Sequence, residues 1–280
     1  MKYFFPLTLF ISLLAQLSFA NQQVVTYVKP ESGSDPRHEY YIELLSLALS
    51  KSQDQGQTSN TVLRESLRDM QQSRAVQQLA KNKYIDIVWT VTSKHREQLL
   101  RPIRIPLIKG LLGNRVFIIR AADKHKFAAV RTIEDLKMYI AGQGHDWPDT
   151  KILQANDIKV VTTSTYDGLF NMLHAQRFDF FPRGVNEAWD ELAVHESPGL
   201  MVEQTLLLRY PSPVYFFVNK DNSTLAEKIE KGLLCAIADG SFDRLFDSYH
   251  KKNLKQANLR NRTILLLRNP LIPSPTDNIQ

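Results

Sequence analysis

Cysteine is nearly absent: the single thiol among 280 residues, Cys235, rules out an internal disulfide, so the fold must hold by packing. Its apolar surroundings, Gly232 to Ile237, predict a buried structural thiol. Beyond the N-terminal leader there is no apolar run near the roughly 20 residues that a bilayer crossing needs. The chain also lacks a phosphate-cradling glycine loop, a zinc-spaced set of His and Cys, and a Gly-x-Ser-x-Gly elbow. No metal or cofactor is therefore expected. A formal charge of +6 is spread among interleaved acids without a basic tract, which excludes nucleic acid as the expected partner.

What is present begins with a leader. Lys2, an apolar stretch over 4–17 and the small residues Ser18 and Ala20 have the order of a secretory signal, with cleavage expected after Ala20. No cysteine follows that site, so no lipid anchor is expected. The remaining residues suffice for one large domain or two modest ones.

Along that stretch, β-branched and aromatic runs alternate with segments of helical period. Strands are predicted at 24–28, 61–64, 84–89, 115–120, 159–161, 178–181 (closed by Pro182) and 214–218. Helices are predicted at 37–51, 74–83, 166–176, 223–239 and 242–251, and Thr132 with Asp135 suits a capped helix start. Gly142 and Gly144 read as turn residues. The repeated βαβα rhythm favours an α/β fold of two similar lobes with mostly parallel sheets flanked by helices.

Several segments carry a more specific pattern. The strand over 84–88 with the turn Thr90-Val91-Thr92, then Arg96, the stretch 103–107, the opening Thr132-Ile133-Glu134-Asp135-Leu136-Lys137 and the stretch 225–249 with its Asp239-Gly240 turn come in a fixed order. In that order they resemble the type II periplasmic solute-binding proteins, specifically the family 3 group that includes polar amino-acid binders of ABC importers. The resemblance implies a two-lobed type II fold with a two-crossing hinge, near 107–115 and 209–215. It implies a leader over 1–20, a first lobe from 21–110 completed by 213–255, a second lobe over 111–212, and a tail over 256–280 lying as an extended strap.

The resemblance also nominates ligand contacts. Arg96 stands one residue later than the family's carboxylate-holding arginine, so it is either that group or a solvated helix residue; Arg104 is a rival cation or a surface arginine. Thr90 and Thr92 belong to the Thr-x-Thr turn. Tyr27, Glu31, Tyr40 and Trp89 fall at element ends that face the cleft in the family, although Tyr40 and Trp89 equally suit a core. Gly144 and His145 occupy the place of an anion-binding turn, with Trp147 beside them either stacking on a ring or half-buried in a loop. After the strand at 178–181, where family members place an aspartate for the ligand ammonium, this chain has Arg183, which would attract an anion, and Glu187, which would restore ammonium binding.

The expected protein is a periplasmic, monomeric, non-catalytic binder of a small polar or anionic solute, amino-acid-like or an organic acid, serving an ABC permease or a membrane-bound sensor. Two other classes stay open. One is a dehydratase-like enzyme on the same scaffold, with Glu31, His145 and Glu187 as acid–base candidates. The other is a divergent protein whose cleft serves as an interaction module.

Overall fold

The computed structural model describes residues 23–29, 36–53, 61–195 and 198–272. The expected leader and Glu31 lie outside these residues. Among the described residues no helix is long and apolar enough to cross a membrane.

The chain runs β1 (Gln23–Lys29), α1 (Pro36–Lys51), β2 (Thr61–Asp69), α2 (Gln72–Ala80), β3 (Ile87–Val91), α3 (Lys94–Leu99) and β4 (Leu100–Ile103). It continues with β5 (Asn114–Arg120), α4 (Lys124–Ala128), α5 (Ile133–Leu136), β6 (Ile140–Gly144), α6 (Pro148–Gln154), β7 (Lys159–Thr163), α7 (Tyr166–His174), β8 (Phe180–Gly184) and α8 (Ala188–Val194). Then come β9 (Leu200–Val202), β10 (Leu206–Arg209), β11 (Val214–Asn219), α9 (Ser223–Ala238), α10 (Ser241–Ala257) and β12 (Thr263–Leu266).

Two sheets organise these elements. The first has the order β2-β1-β3-β11-β4, and the second β12-β10-β5-β8-β6-β7 with β9 beside β5. Each sheet is mixed rather than mostly parallel. Strands joined by helical crossovers, such as β1 with β2 and β6 with β7, run parallel. The strands that enter after a passage from the other lobe, β5 and β11, run antiparallel to β8 and β3. Residues 104–113 and 210–213 make the two expected crossings. A third passage, 258–262, carries the chain from α10 to β12, so the tail adds a strand to the second sheet. Arg262 pins that passage by donating to the carbonyls of Ala257, Glu203 and Leu206. Leu271 then returns to the first lobe, its carbonyl accepting from the Lys94 N–H at 2.8 Å.

Local sequence explains much of this. Val116, Phe117, Ile118 and Ile119 are all buried, as a strand covered on both faces requires. α5 starts on a capping box, in which Thr132 Oγ1 accepts from the Asp135 N–H and the Asp135 carboxylate accepts from the Thr132 N–H. On α9, Ile229, Gly232, Leu233 and Ala236 take the inner face, which leaves Cys235 exposed beside Leu234. The expectation of a buried thiol fails because the apolar run is longer than the buried face of the helix.

Gly232 marks the tightest helix contact. A Cβ there would lie 1.7 Å from the Ala48 carbonyl oxygen of α1, a backbone atom that cannot swing aside. Alanine normally gains about 1 kcal/mol over glycine inside a helix. Here overpacking outweighs that gain, and Gly232→Ala is expected to lose about 3 kcal/mol of stability in urea unfolding. A stabilised variant would contradict the contact.

Candidate functional site: a cleft between the lobes

The two crossings are bonded to each other and to both lobes. Tyr210 N–H donates to the Gly113 carbonyl at 3.1 Å, and Leu107 N–H to the Val214 carbonyl at 3.0 Å. Tyr40 Oη donates to the Leu107 carbonyl at 2.6 Å, which places Tyr40 in the core under the hinge rather than at a ligand. Above this hinge lies a cavity of about 220 Å³ with walls from both lobes.

The first lobe contributes His38 and Tyr41 of α1, Gln72 of α2, and Trp89 and Thr90 of β3. Trp89 is held by its neighbours: Tyr41 stacks on it at 5.5 Å, and His38 meets its edge at 5.2 Å. The second lobe contributes Arg115 of β5, Trp147, Asp149 of α6, Arg183 of β8, and Asn186 and Glu187 of the following turn.

The second-lobe wall is a charge network. Arg115, 2% exposed, bonds Asp149 Oδ1 at 2.6 Å and reaches Glu187 Oε2 at 3.4 Å, and its Nε donates to Tyr210 Oη at 3.0 Å. Tyr210 Oη in turn donates to Asp149 Oδ1. Burial alone would lower the pKa of Arg115, but the facing Asp149, Tyr210 and Glu187 outweigh it and hold the guanidinium above its ordinary value. Burial pushes the Tyr210 phenol well up, so it stays a donor. Arg183 makes a two-pronged bond to Glu191, at 2.7 and 2.6 Å, and approaches Glu187 at 3.1 Å. Its guanidinium also lies 4.8 Å from the Trp147 ring centre. Two buried guanidiniums therefore face three carboxylates. Nearby, Asn186 Oδ1 is a buried acceptor with no hydrogen-bond donor among the described residues.

The nominated residues divide clearly. Trp89, Thr90, Arg183 and Glu187 line the cavity. Tyr27 is buried behind Trp89, and Thr92 turns to Glu97 Oε1 at 2.6 Å beside the hinge. Arg96 stands behind the wall, donating to Thr90 Oγ1, the Val91 carbonyl and Gln72 Oε1 at 2.8, 2.6 and 2.5 Å. It is thus neither a solvated helix residue nor a cavity-lining one. Burial lowers its pKa to about 10, partly offset by Asp146 and Asp149 across the cleft, so it remains a cation at neutral pH. Arg104 lies exposed outside the cleft, paired with Glu97 at 2.5 Å, because the extended segment after β4 turns it outward.

Gly142 and Gly144 are strand residues of β6, not turn residues. A Cβ at Gly142 would strike the Phe178 ring at 2.2 Å, and one at Gly144 the Trp147 ring at 2.6 Å. His145 lies exposed at the rim.

Sequence reasoning missed Arg115, Asp149, Asn186, Gln72, His38 and Tyr41. Arg115 and Asp149 sit inside elements whose apolar neighbours dominate the pattern. The four-residue steps Arg183, Glu187 and Glu191 were a visible signal that the arginine had carboxylate partners.

No family model matches the chain, and no curated protein matches it. Solved structures do. An ancestral arginine-binding protein bound to arginine is 18% identical with a TM-score of 0.60, over 81% of this chain and 97% of that one. A Salmonella typhimurium periplasmic binding protein of high arginine specificity is 16% identical with a TM-score of 0.61, over 81% and 99%. A histidine kinase sensor domain with similarity to periplasmic binding proteins is 12% identical with a TM-score of 0.58, over 81% and 96%. The fold is that of the two-lobed type II periplasmic binding proteins.

Proposed function

We propose that the chain is an exported, non-catalytic solute-binding protein that closes its lobes on a small polar solute and presents it to an ABC permease or a membrane-bound sensor. The observation that carries this reading is a cavity walled by polar and aromatic side chains of both lobes. The solute bears an amine or another strong donor group rather than several negative charges. Arg183 and Arg115 are already matched by Glu191, Glu187 and Asp149, so the cleft has no surplus positive charge for an anion. Arg183 alone would attract an anion, but Glu191 and Glu187 compensate its charge. Trp89 and Trp147 supply ring faces for the apolar or cationic part of the solute.

The dehydratase alternative has less support. His145 is exposed at the rim, and Glu187 is engaged by the Gly184 N–H at 2.9 Å as well as by the arginines.

A thermal-shift screen of the chain from Asn21 onward tests the reading, with amino acids and amines set against dicarboxylates and phosphorylated compounds. A solute at a hundred times its Kd adds about 2.7 kcal/mol of stability, a rise of roughly 5–10 °C in Tm. Shifts confined to dicarboxylates or phosphates would overturn the proposed solute class. A flat response to every class would favour the interaction-module reading.

A further inference from the structure

Helix α2 begins without the usual N-terminal support. Its N-cap, Gln71, makes no side-chain cap bond, and no acidic residue stands in its first turn. The first N–H groups of a helix need acceptors and its positive end favours an anion. Here the carboxylate comes from the other lobe: Asp146, in the turn between β6 and α6, accepts from the Ser73 N–H through Oδ2 at 3.3 Å. At the same point Gln71 Nε2 donates across the lobes to the Ser164 carbonyl at 3.2 Å. Asp146 does not line the main cavity, so its contact with α2 is separate from the solute's contacts.

We propose that Asp146 is the closure latch of this protein, a carboxylate of the second lobe that caps α2 of the first lobe only when the lobes are together. The inference rests on the lobe-closure reading above. When the lobes part, the N–H groups of α2 and the Asp146 carboxylate both return to water, and the charge-assisted bond between them is lost. Asp146 is therefore a positioning residue. It favours the closed form for any solute that fits, and selectivity stays with the cavity walls. Gln71 is left uncapping on this account, since an acid of its own would support α2 equally in both forms and would repel Asp146.

The test needs no known solute. Spin labels on Leu67→Cys and Met138→Cys, both exposed and in different lobes, report the interlobe distance by pulsed electron spin resonance in a Cys235→Ser background. Asp146→Ala is expected to lower the ratio of closed to open molecules roughly tenfold, the scale of a lost helix cap. Asp146→Asn, which keeps an acceptor, falls between. Gln71→Asp opens the lobes as well, while thermal unfolding shows no loss of stability. Two distances whose ratio is unchanged by Asp146→Ala would overturn the latch and leave closure standing. A single distance identical in every variant would overturn closure and the latch with it.

Discussion

Replacing Arg115 with methionine is expected to cost about 3–5 kcal/mol of unfolding free energy, because it strands the carboxylates that the guanidinium neutralises. Asp149 and Glu187 are both largely buried, and the Tyr210 hydroxyl alone does not replace the lost charge. The same arithmetic predicts partial recovery. Arg115→Met combined with Asp149→Asn leaves one fewer unpaired charge, so the double variant is expected to be more stable than Arg115→Met itself. Urea unfolding at neutral pH measures both. A loss below about 1 kcal/mol for the single variant would mean that water reaches the site freely, and the matched-charge description of the cleft would fail with it.

The second large effect is a dependence on pH set by His250. Its ring is buried on α10 against Tyr40 and Phe246, with centroids at 4.6 and 4.8 Å, and burial lowers its pKa to about 4, with Asp190 opposing weakly. An unfolded histidine takes up its proton near pH 6.5. Between those values the unfolded chain binds a proton that the folded chain refuses. The stability contribution is therefore complete above about pH 6.5 and is lost as pH falls toward 4, by of order 3 kcal/mol. Asp135, Asp239 and Asp123, whose pKa values are lowered by hydrogen bonds and by ion pairing, in Asp123 against burial, lose their contributions below about pH 5, so the upper part of the window is where His250 is separated from them. His250→Phe is expected to flatten the profile between about pH 6.5 and 5. An unchanged slope in that variant would assign the effect elsewhere.

How far the sequence reveals this protein depends on which force decides each segment. Runs such as 115–120 and 214–218 are strands in any sheet that buries both faces, and the capping box at Thr132 is set by neighbouring residues; both are legible locally. β6 is not, because Gly142 and Gly144 are there for the Phe178 and Trp147 rings that close over them, a contact between distant segments. β8 runs on through Pro182 for a similar reason. Its pairing with β6 is confined to Ala141 and Phe180, and the Gln143 side chain takes the Pro182 carbonyl at 3.2 Å, so the missing N–H disrupts nothing on that side. The mixed sheets likewise follow from chain passages between lobes, which no local period records.

In the site, residue type was visible and pairing was not. Arg183 reads as a bare positive charge until Glu191 of the next helix is placed on it, and that pairing leaves its charge compensated. Arg96 reads as either ligand clamp or surface residue, whereas its burial behind Thr90 makes it a support for the wall.

The most direct test of the account is isothermal titration of the solute that gives the largest thermal shift, using the wild type, Trp89→Leu in the first lobe and Trp147→Leu in the second. If the solute lies between the lobes, each substitution weakens binding by at least about fivefold while the protein still unfolds cooperatively, since each removes a ring face worth roughly 1–3 kcal/mol. Binding that survives both substitutions unchanged would place the solute outside the cleft and contradict the proposal that closure of the two lobes captures it.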